Sequence, residues 1–480
     1  ASGSYTDNLG LIRLTIDPAT RQVTSADSIL IPAAEVAQCG ADPDTQAIVD
    51  KAEADSKEAG KRVVATGYTE PFRRGVFTTP AGATEPGSNR GIESSLGDLV
   101  ADSLREMILT PDGKSVDIGM INAGDLRADL VPNEDGTITY AQTYEVEPFS
   151  NQLGYVTLKG SDLKDALEQQ WKTDLNSQNS RPMLKLSLSS NVRYTYDPAR
   201  PYGERITSVT INGEPLKADG TYTVGSVNFL LDGGDSFEAL TRGGAAILNG
   251  NLDRDSINAY LARHSGVADR AAGAAGGLTP REAKSSIGLT LPTEAVADGS
   301  TVTIPLRGLS FSEGPSITTK VRVSAGGPEA VADVDNSLVD AHASDAAAVI
   351  TTDGAGQASV DVTVVGACEG KAAGEVVNVA LTVATDFATV VEATDGLTIP
   401  VTCAGTEVPV PAPSPSANAD QGAAPGAGAP ASTKKPNAGA PRGAIARTGA
   451  DSRGLPVAFL LAVVGVAALW LRRSQIVTSR

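Results

Sequence analysis

Histidine is almost absent from this sequence. Its 480 residues hold two, His264 and His342, whereas a dinuclear metal centre needs several imidazole and carboxylate ligands converging on one pocket. Neither histidine stands in a metal-ligand spacing, and both are read as surface or loop residues. The three cysteines, Cys39, Cys368 and Cys403, include no pair at zinc-site spacing. Clustered positive charge is missing as well. With 39 Lys and Arg against 57 Asp and Glu, the net charge is −18, and counterion release from a phosphate backbone needs grouped cations. Nucleic acid is excluded as a partner, and the acidic balance suits an exported protein that must stay soluble. No catalytic and no metal-ligating set is legible. The first residue is Ala1, without a leader. Because the C-terminal end reads as an export-dependent anchor, the expectation is that upstream residues carried the protein into the secretory route.

What is present divides into six stretches, enough for two or three domains. Residues 1–35 read as a strand (Leu9–Ile16), a turn at Asp17-Pro18 and a second strand ending near Ile31. A lone hairpin cannot bury its apolar face, so it is expected to complete a sheet of an upstream domain. Residues 36–62 read as a connecting helix. From 63 to 275 strands and helices mix. Ile92, Leu96, Leu99, Val100, Leu104, Met107 and Ile108 recur at helical spacing, Val116–Ile121 is a short apolar strand, and Leu153–Leu158 is another, followed by a helix from Ser161 to Trp171. Val192, Tyr194 and Tyr196 alternate as in a half-buried strand, and Asn212-Gly213 marks a tight turn.

From 284 to 405 the texture becomes short Val/Thr/Ile-rich strands at sandwich-like intervals, predicting an Ig-like β-sandwich. Cys368 and Cys403 fall here and are expected to form a disulfide, as suits an exported β domain. Cys39 is left over, its partner, if any, being upstream. Residues 406–443 are a Pro/Ala/Gly-rich linker. In 444–480, Leu455–Leu471 is a continuous apolar run closed by Arg472-Arg473, which predicts one transmembrane helix with a basic tail inside. Just before it stands Ile445-Ala446-Arg447-Thr448-Gly449. Pentapeptide, apolar run and arginine tail in that order resemble a sortase signal of the actinobacterial Leu-Ala-x-Thr-Gly kind, with Ile445 in the place of Leu. The resemblance implies cleavage between Thr448 and Gly449 and attachment to peptidoglycan.

Four segments carry chemistry: RGIESSLGDLVAD (90–102), NAGDLRADL (122–130), EPFSN (147–151) and NFLLDGGDSF (228–237). The second follows a strand, where glycine permits a tight turn and close ligand approach, and Arg127 then offers a planar donor fork for phosphate or ribose oxygens. Phe149 and Phe229 stand on loops, where rings can stack on a planar base. Asp235, beside two glycines, can accept paired hydroxyl donors. Taken singly, each has a plainer reading: a Phe in the core, a Gly-Gly-Asp in a turn, an Arg in a surface ion pair.

The order and spacing of all four resemble the C-terminal domain of the 5′-nucleotidase family, whose signatures are a Leu-Gly-Asn-Leu helix, Asn-Gly-Gly-Gly-Ile-Arg, Pro-Phe-Gly-Asn and Asn-Phe-x-x-x-Gly-Gly-Asp-Gly-Phe. The resemblance spans about residues 40–270. It implies an α+β chain: a four-layer α/β/β/α domain that binds the nucleoside part of a substrate, followed by the all-β sandwich. By it Phe149 and Phe229 would sandwich the base, Asp235 would take ribose hydroxyls, Arg127 the sugar-phosphate end and Asn122 the nucleoside, with Arg90 matching an arginine before the first helix. Ala123, Asp125, Ser150 and Ser236 replace glycines of the motifs, and Asp98 replaces Asn. Asp125 places a negative charge next to Arg127, which would disfavour a phosphorylated ligand.

In this family hydrolysis belongs to an N-terminal domain with two divalent metal ions, and residues 1–30 resemble its final hairpin. The expectation is therefore the substrate-recognition part of a cell-surface 5′-nucleotidase that hydrolyses extracellular nucleotides to nucleosides and phosphate, inactive as this chain alone. One alternative is a non-catalytic nucleoside-binding or adhesive surface protein. Another keeps the enzyme class but changes the substrate to cyclic nucleotides or nucleotide sugars.

Overall fold

A computed structural model describes residues 7–76, 78–79, 82–83, 86–172, 175, 183–265, 277–313, 317–336 and 355–405. The linker, the sortase-like pentapeptide, the apolar run 455–471 and His342 lie outside them. Among the described residues no helix is long and apolar enough to cross a membrane.

The chain divides into two compact units. In the first, β1 (Asn8–Ile16) and β2 (Val23–Pro32) pair antiparallel with Leu11 opposite Ile29. Asp17 closes the turn by accepting a hydrogen bond from Ala19 N at 2.8 Å. Leu9, Leu11 and Ile29 are exposed on one face, and Ile12, Leu14, Ile16 and Leu30 on the other. The helix α1 (Pro43–Gly60) follows, its residues from Ser56 on belonging to the second unit; its Lys51 and Asp55 form an i,i+4 ion pair at 2.7 Å.

The second unit begins with mixed α/β structure. The helix α2 (Ser95–Met107) starts where Ser94 Oγ accepts from Gly97 N at 3.2 Å, and it buries Leu96, Leu99, Val100 and Leu104. It lies against the fully buried strand β3 (Ile118–Asn122). The approach depends on Gly119, since a Cβ there would stand 1.9 Å from Ala101 O. After α3 (Tyr140–Val146), β4 (Gln152–Lys159) runs straight into α4 (Gly160–Glu168). The helix thus starts before Ser161 and ends before Trp171. Its first turn is set by the 217–220 turn, where Gly220 O accepts from Gly160 N at 2.9 Å, and its end by Glu168, whose carboxylate accepts from Ile206 N at 2.6 Å and Gly203 N at 3.1 Å. Next come β5 (Leu186–Leu188), β6 (Val192–Tyr196), β7 (Ile206–Ile211), β8 (Glu214–Pro215) and β9 (Thr221–Val227). The Asn212-Gly213 hairpin has φ of 55° and 80° at its two loop residues, as a type I′ turn requires. The short helix α5 (Asn228–Leu231), β10 (Ile247–Leu252) and α6 (Asp253–Arg263) complete this part.

Five strands form one sheet in the order β10-β4-β9-β3-β5, with β9 and β3 parallel and every other pair antiparallel. A second sheet has six strands and crosses from this part into the next. Its order is β8-β7-β6, then β11 (Ser286–Leu289), then Thr301–Arg307 and Ala358–Thr363, with β6 and β11 parallel. Val192, Tyr194 and Tyr196 are buried on the face that their alternation assigned to the interior. Two smaller sheets, built from strands between Val296 and Thr402, join this one around a Val/Leu/Ile core that includes Leu306, Val323, Val383 and Ile399.

Buried charge binds the two parts. The Glu93 carboxylate accepts from Ser285 N at 2.6 Å and Ser286 N at 3.0 Å, at the start of β11. Arg281 lies 2.7 Å from Asp102 and 3.7 Å from Asp98. Asp98 is fully buried, and burial, reinforced by Glu93, holds its carboxyl well above the ordinary range.

Cys368 and Cys403 are disulfide-bonded, with Cα atoms 5.4 Å apart and a sequence separation of 35. The chain-entropy relation gives such a loop about 3–4 kcal/mol. Cys368→Ala with Cys403→Ala is expected to lower unfolding free energy by about that amount; equal urea midpoints for the variant and the oxidised protein would contradict it.

Candidate functional site

Because β3 and β9 are parallel, their carboxyl ends emerge side by side, and antiparallel β4 begins at that same edge of the sheet. Such an edge is where open α/β sheets receive ligands. Asn122 ends β3, the Phe149 loop enters β4, and α5 with the Gly233–Phe237 turn follows β9. Three of the four sequence segments therefore reach one place, and Arg90 of the remaining one comes near Gly124 there.

Asn122 is buried, and its Nδ2 donates to Asp235 Oδ2 at 2.6 Å. Its Oδ1 finds no donor among the described residues. Gly124 is the floor of this group: a Cβ there would stand 2.9 Å from Asn122 Nδ2, 3.0 Å from Asp235 Oδ2 and 3.6 Å from Arg90 Nη1. Arg127 is fixed by its backbone N–H, which donates to Val146 O at 2.8 Å, and by Nη1, which donates to Gly124 O at 3.3 Å. Its guanidinium lies 5.6 Å from the centre of the Phe149 ring. The two Phe-bearing segments are tied to each other, since Asn228 Oδ1 accepts from Gln152 N at 2.9 Å. Phe149 is 51% and Phe229 43% exposed, while Phe237, in the same motif as Phe229, is fully buried. Gly234 lies flat against Phe229, where a Cβ would come within 2.6 Å of the ring.

The backbone is strained at the same spots. Five described non-glycine residues have positive φ, and three of them are here: Ser150 at 58°, Asp235 at 53° and Ser236 at 62°. Ser150 and Ser236 occupy motif positions where the resemblance has glycine, which adopts that conformation freely. The Ser150 turn is held by Arg254, whose Nη1 donates to Ser150 Oγ while its Nε donates to Tyr140 OH at 3.0 Å.

Two half-exposed rings, a guanidinium beside one of them and a carboxylate oriented by an amide can together receive a planar group bearing hydroxyls. Residues 75–242 match the family model of the 5′-nucleotidase C-terminal domain. That stretch belongs to the 5′-nucleotidase C-terminal domain family. Among its relatives, a cell wall protein of Listeria monocytogenes is 34% identical over 156 residues, 31% of this chain and 19% of that protein. A 5′-nucleotidase of Bos taurus is 27% identical over 183 residues, 36% of this chain and 31% of the relative. The matched stretch is thus under a third of either protein's length. A 5′-nucleotidase precursor of Thermus thermophilus superimposes over 54% of this chain and 47% of its own at 25% identity, with a TM-score of 0.35, too low to bear on the fold.

Within the 5′-nucleotidase C-terminal domain, Asp125 does not act as its place in the motif suggests. It is 4% exposed, turned inward against Glu147, which is fully buried, with Asp253 also buried nearby. Both Glu147 oxygens and Asp125 Oδ2 lack a donor, so the facing carboxyls need a proton between them. Burial first, then the charge of Asp253, pushes Asp125 up to about 7; burial and then Asp125 push Glu147 well above its usual range. Asp253 is anchored by Asn151 N, which donates to it at 2.8 Å. The carboxyl expected to repel a phosphate beside Arg127 therefore faces the interior, where burial opposes its ionisation.

Among the described residues no group of three or more His, Cys, Asp or Glu can hold a metal ion. No set among the described residues fits the two divalent ions that the resemblance implies. His264 is structural: its Nε2 meets Glu106 at 3.3 Å and its ring packs on Tyr260. Glu147, Asp253, Arg254 and Asn228 were not singled out in the sequence, although Glu147 and Asn228 each open a recognised motif.

Folding is linked to the Asp125 proton. A carboxyl raised from 3.8 to about 7 favours the folded state below pH 4 and loses that contribution as pH rises through 7. Asp125→Asn, which can donate to Glu147, is expected to match wild type in melting temperature near pH 4.5 and to exceed it increasingly toward pH 7.5. Calorimetry over that range checks this; parallel pH curves would refute the shared proton.

Proposed function

We propose that the 5′-nucleotidase C-terminal domain of this chain recognises the nucleoside part of a nucleotide, as the substrate-recognition portion of a cell-surface enzyme hydrolysing extracellular nucleotides. The base stacks between Phe149 and Phe229. Asp235 takes the ribose hydroxyls with the oxygen that Asn122 leaves open, and Asn122 Oδ1 accepts from the nucleoside. Arg127 and Arg90 face the sugar-phosphate end. The observation that carries this reading is the convergence, at one sheet edge, of two half-exposed phenylalanines with Arg127 and the Asn122–Asp235 pair. Such rings leave apolar area in water that a base would cover.

Adenosine titrated calorimetrically into the chain is expected to bind. Phe149→Ala and Phe229→Ala should each weaken it by roughly 1–3 kcal/mol with little change in melting temperature, because half-exposed rings contribute little core. Asp235→Asn should penalise ribonucleosides more than 2′-deoxynucleosides. Absence of nucleoside binding, or unfolding of both alanine variants, would contradict the assignment.

Surface attachment is part of the same proposal. It is supported by the order of pentapeptide, apolar run and arginines in 445–473 and by the relative described as a cell wall protein. Replacing Thr448 is expected to move the protein from the wall fraction to membrane or medium; an unchanged wall fraction would rule out sortase processing there.

A further inference from the structure

The turn that carries Asp235 has left-handed φ at Gly233, Asp235 and Ser236 (86°, 53° and 62°). Two of these are non-glycine residues, for which that conformation is sterically costly, so groups outside the turn have to hold it. Asn122 holds it from the ligand side. From behind, two residues following α4 do so: Gln169 Oε1 accepts from Ala239 N at 3.0 Å, and Lys172 Nζ donates to Ser236 O at 3.3 Å. The same ammonium stands 3.3 Å from the centre of the Phe237 ring.

Lys172 is 2% exposed. A lysine is almost never buried so completely unless something requires its charge there. Burial brings its pKa down to about 7, and Asp235, the charged group acting on it among the described residues, opposes that fall.

We propose that Lys172 is a positioning residue for ligand recognition, its ammonium gripping the Ser236 carbonyl and the Phe237 ring so that the left-handed turn keeps Asp235 aimed at Asn122 and at the ribose hydroxyls. The ligand half of this rests on the nucleoside reading above; the hold on the turn does not. Ser236 is where the two meet. A glycine there, as in the resembling motif, would adopt the turn unaided, and the serine makes the turn dependent on Lys172.

The test uses the full chain. Without ligand, the amide shifts of Asp235 and Ser236 should follow the titration of Lys172 Cε near pH 7 in NMR spectra of the wild type. Lys172→Met, of similar length but uncharged, should weaken adenosine on the order of ten-fold, as loss of a hydrogen bond from a charged group does. Its melting temperature at pH 6 should be no lower than wild type, since a buried ammonium is gone. Adding Ser236→Gly to Lys172→Met should recover most of the affinity, a rescue that a purely structural lysine would not give. Unchanged adenosine affinity, an unfolded Lys172→Met chain, or amides that stay still while Lys172 titrates would each overturn the proposal. Amides that follow Lys172 in a wild type that binds no adenosine would support the hold on Asp235 and refute the nucleoside reading instead.

Discussion

The parallel pairing of β9 with β3 is the constraint on which the site depends. Val224 stands opposite Ile118 and Gly225 opposite Gly119, and both glycines are obligatory on packing grounds. A Cβ at Gly119 would run into the backbone of α2, and one at Gly225 into Val116 and Ile108. Gly119 lets α2 press on the sheet, Gly225 leaves room for Val116 and Ile108, and this packing fixes the strand register. With the register fixed, Asn122 and the residues after Val227 leave the sheet together, and a 2.6 Å hydrogen bond between residues 113 positions apart follows.

Around that edge the molecule accumulates features that cost stability. Three left-handed non-glycine residues and a proton-sharing pair of buried carboxyls lie within the segments that form the site, and the buried Lys172 ammonium stands behind them. Elsewhere the burial of charge has a different character. Glu93 is matched by backbone N–H groups and Arg281 by Asp102, and they fasten β11 to the preceding domain. Breaking one member of such a seam leaves the other buried and unpaired. The seam and the shared six-stranded sheet join the mixed α/β part and the β-rich part into one compact unit among the described residues. The site's charges, by contrast, are balanced by protonation and by a ring face, which respond to pH and to occupancy.

Much of this was legible in the residues. The helical spacing of Leu96, Leu99, Val100 and Leu104 picks out the buried face of α2, and the Asn212-Gly213 pair announces its own turn, because both signals are local. The four motif segments could be named from order and spacing. That Phe149 and Phe229 stay half exposed while Phe237 is buried was not legible, since all three stand in similar polar or glycine-rich surroundings along the chain. The inward turn of Asp125 was hidden for the same reason: its neighbours Glu147 and Asp253 come from 22 and 128 residues further on.

By itself the sequence determined which residue types were available and in what order: two histidines and no ligand set, a β-rich stretch with two cysteines, and a nucleotidase-like series of Asn, Arg, Phe and Asp. Tertiary structure alone decided which charges meet. Lys172 reaches Ser236 across 64 residues and Arg281 reaches Asp102 across 179. Local periodicity records which face of an element is apolar, but the partner of a buried charge is set by how sheets and helices stack, and no spacing rule along the chain encodes it.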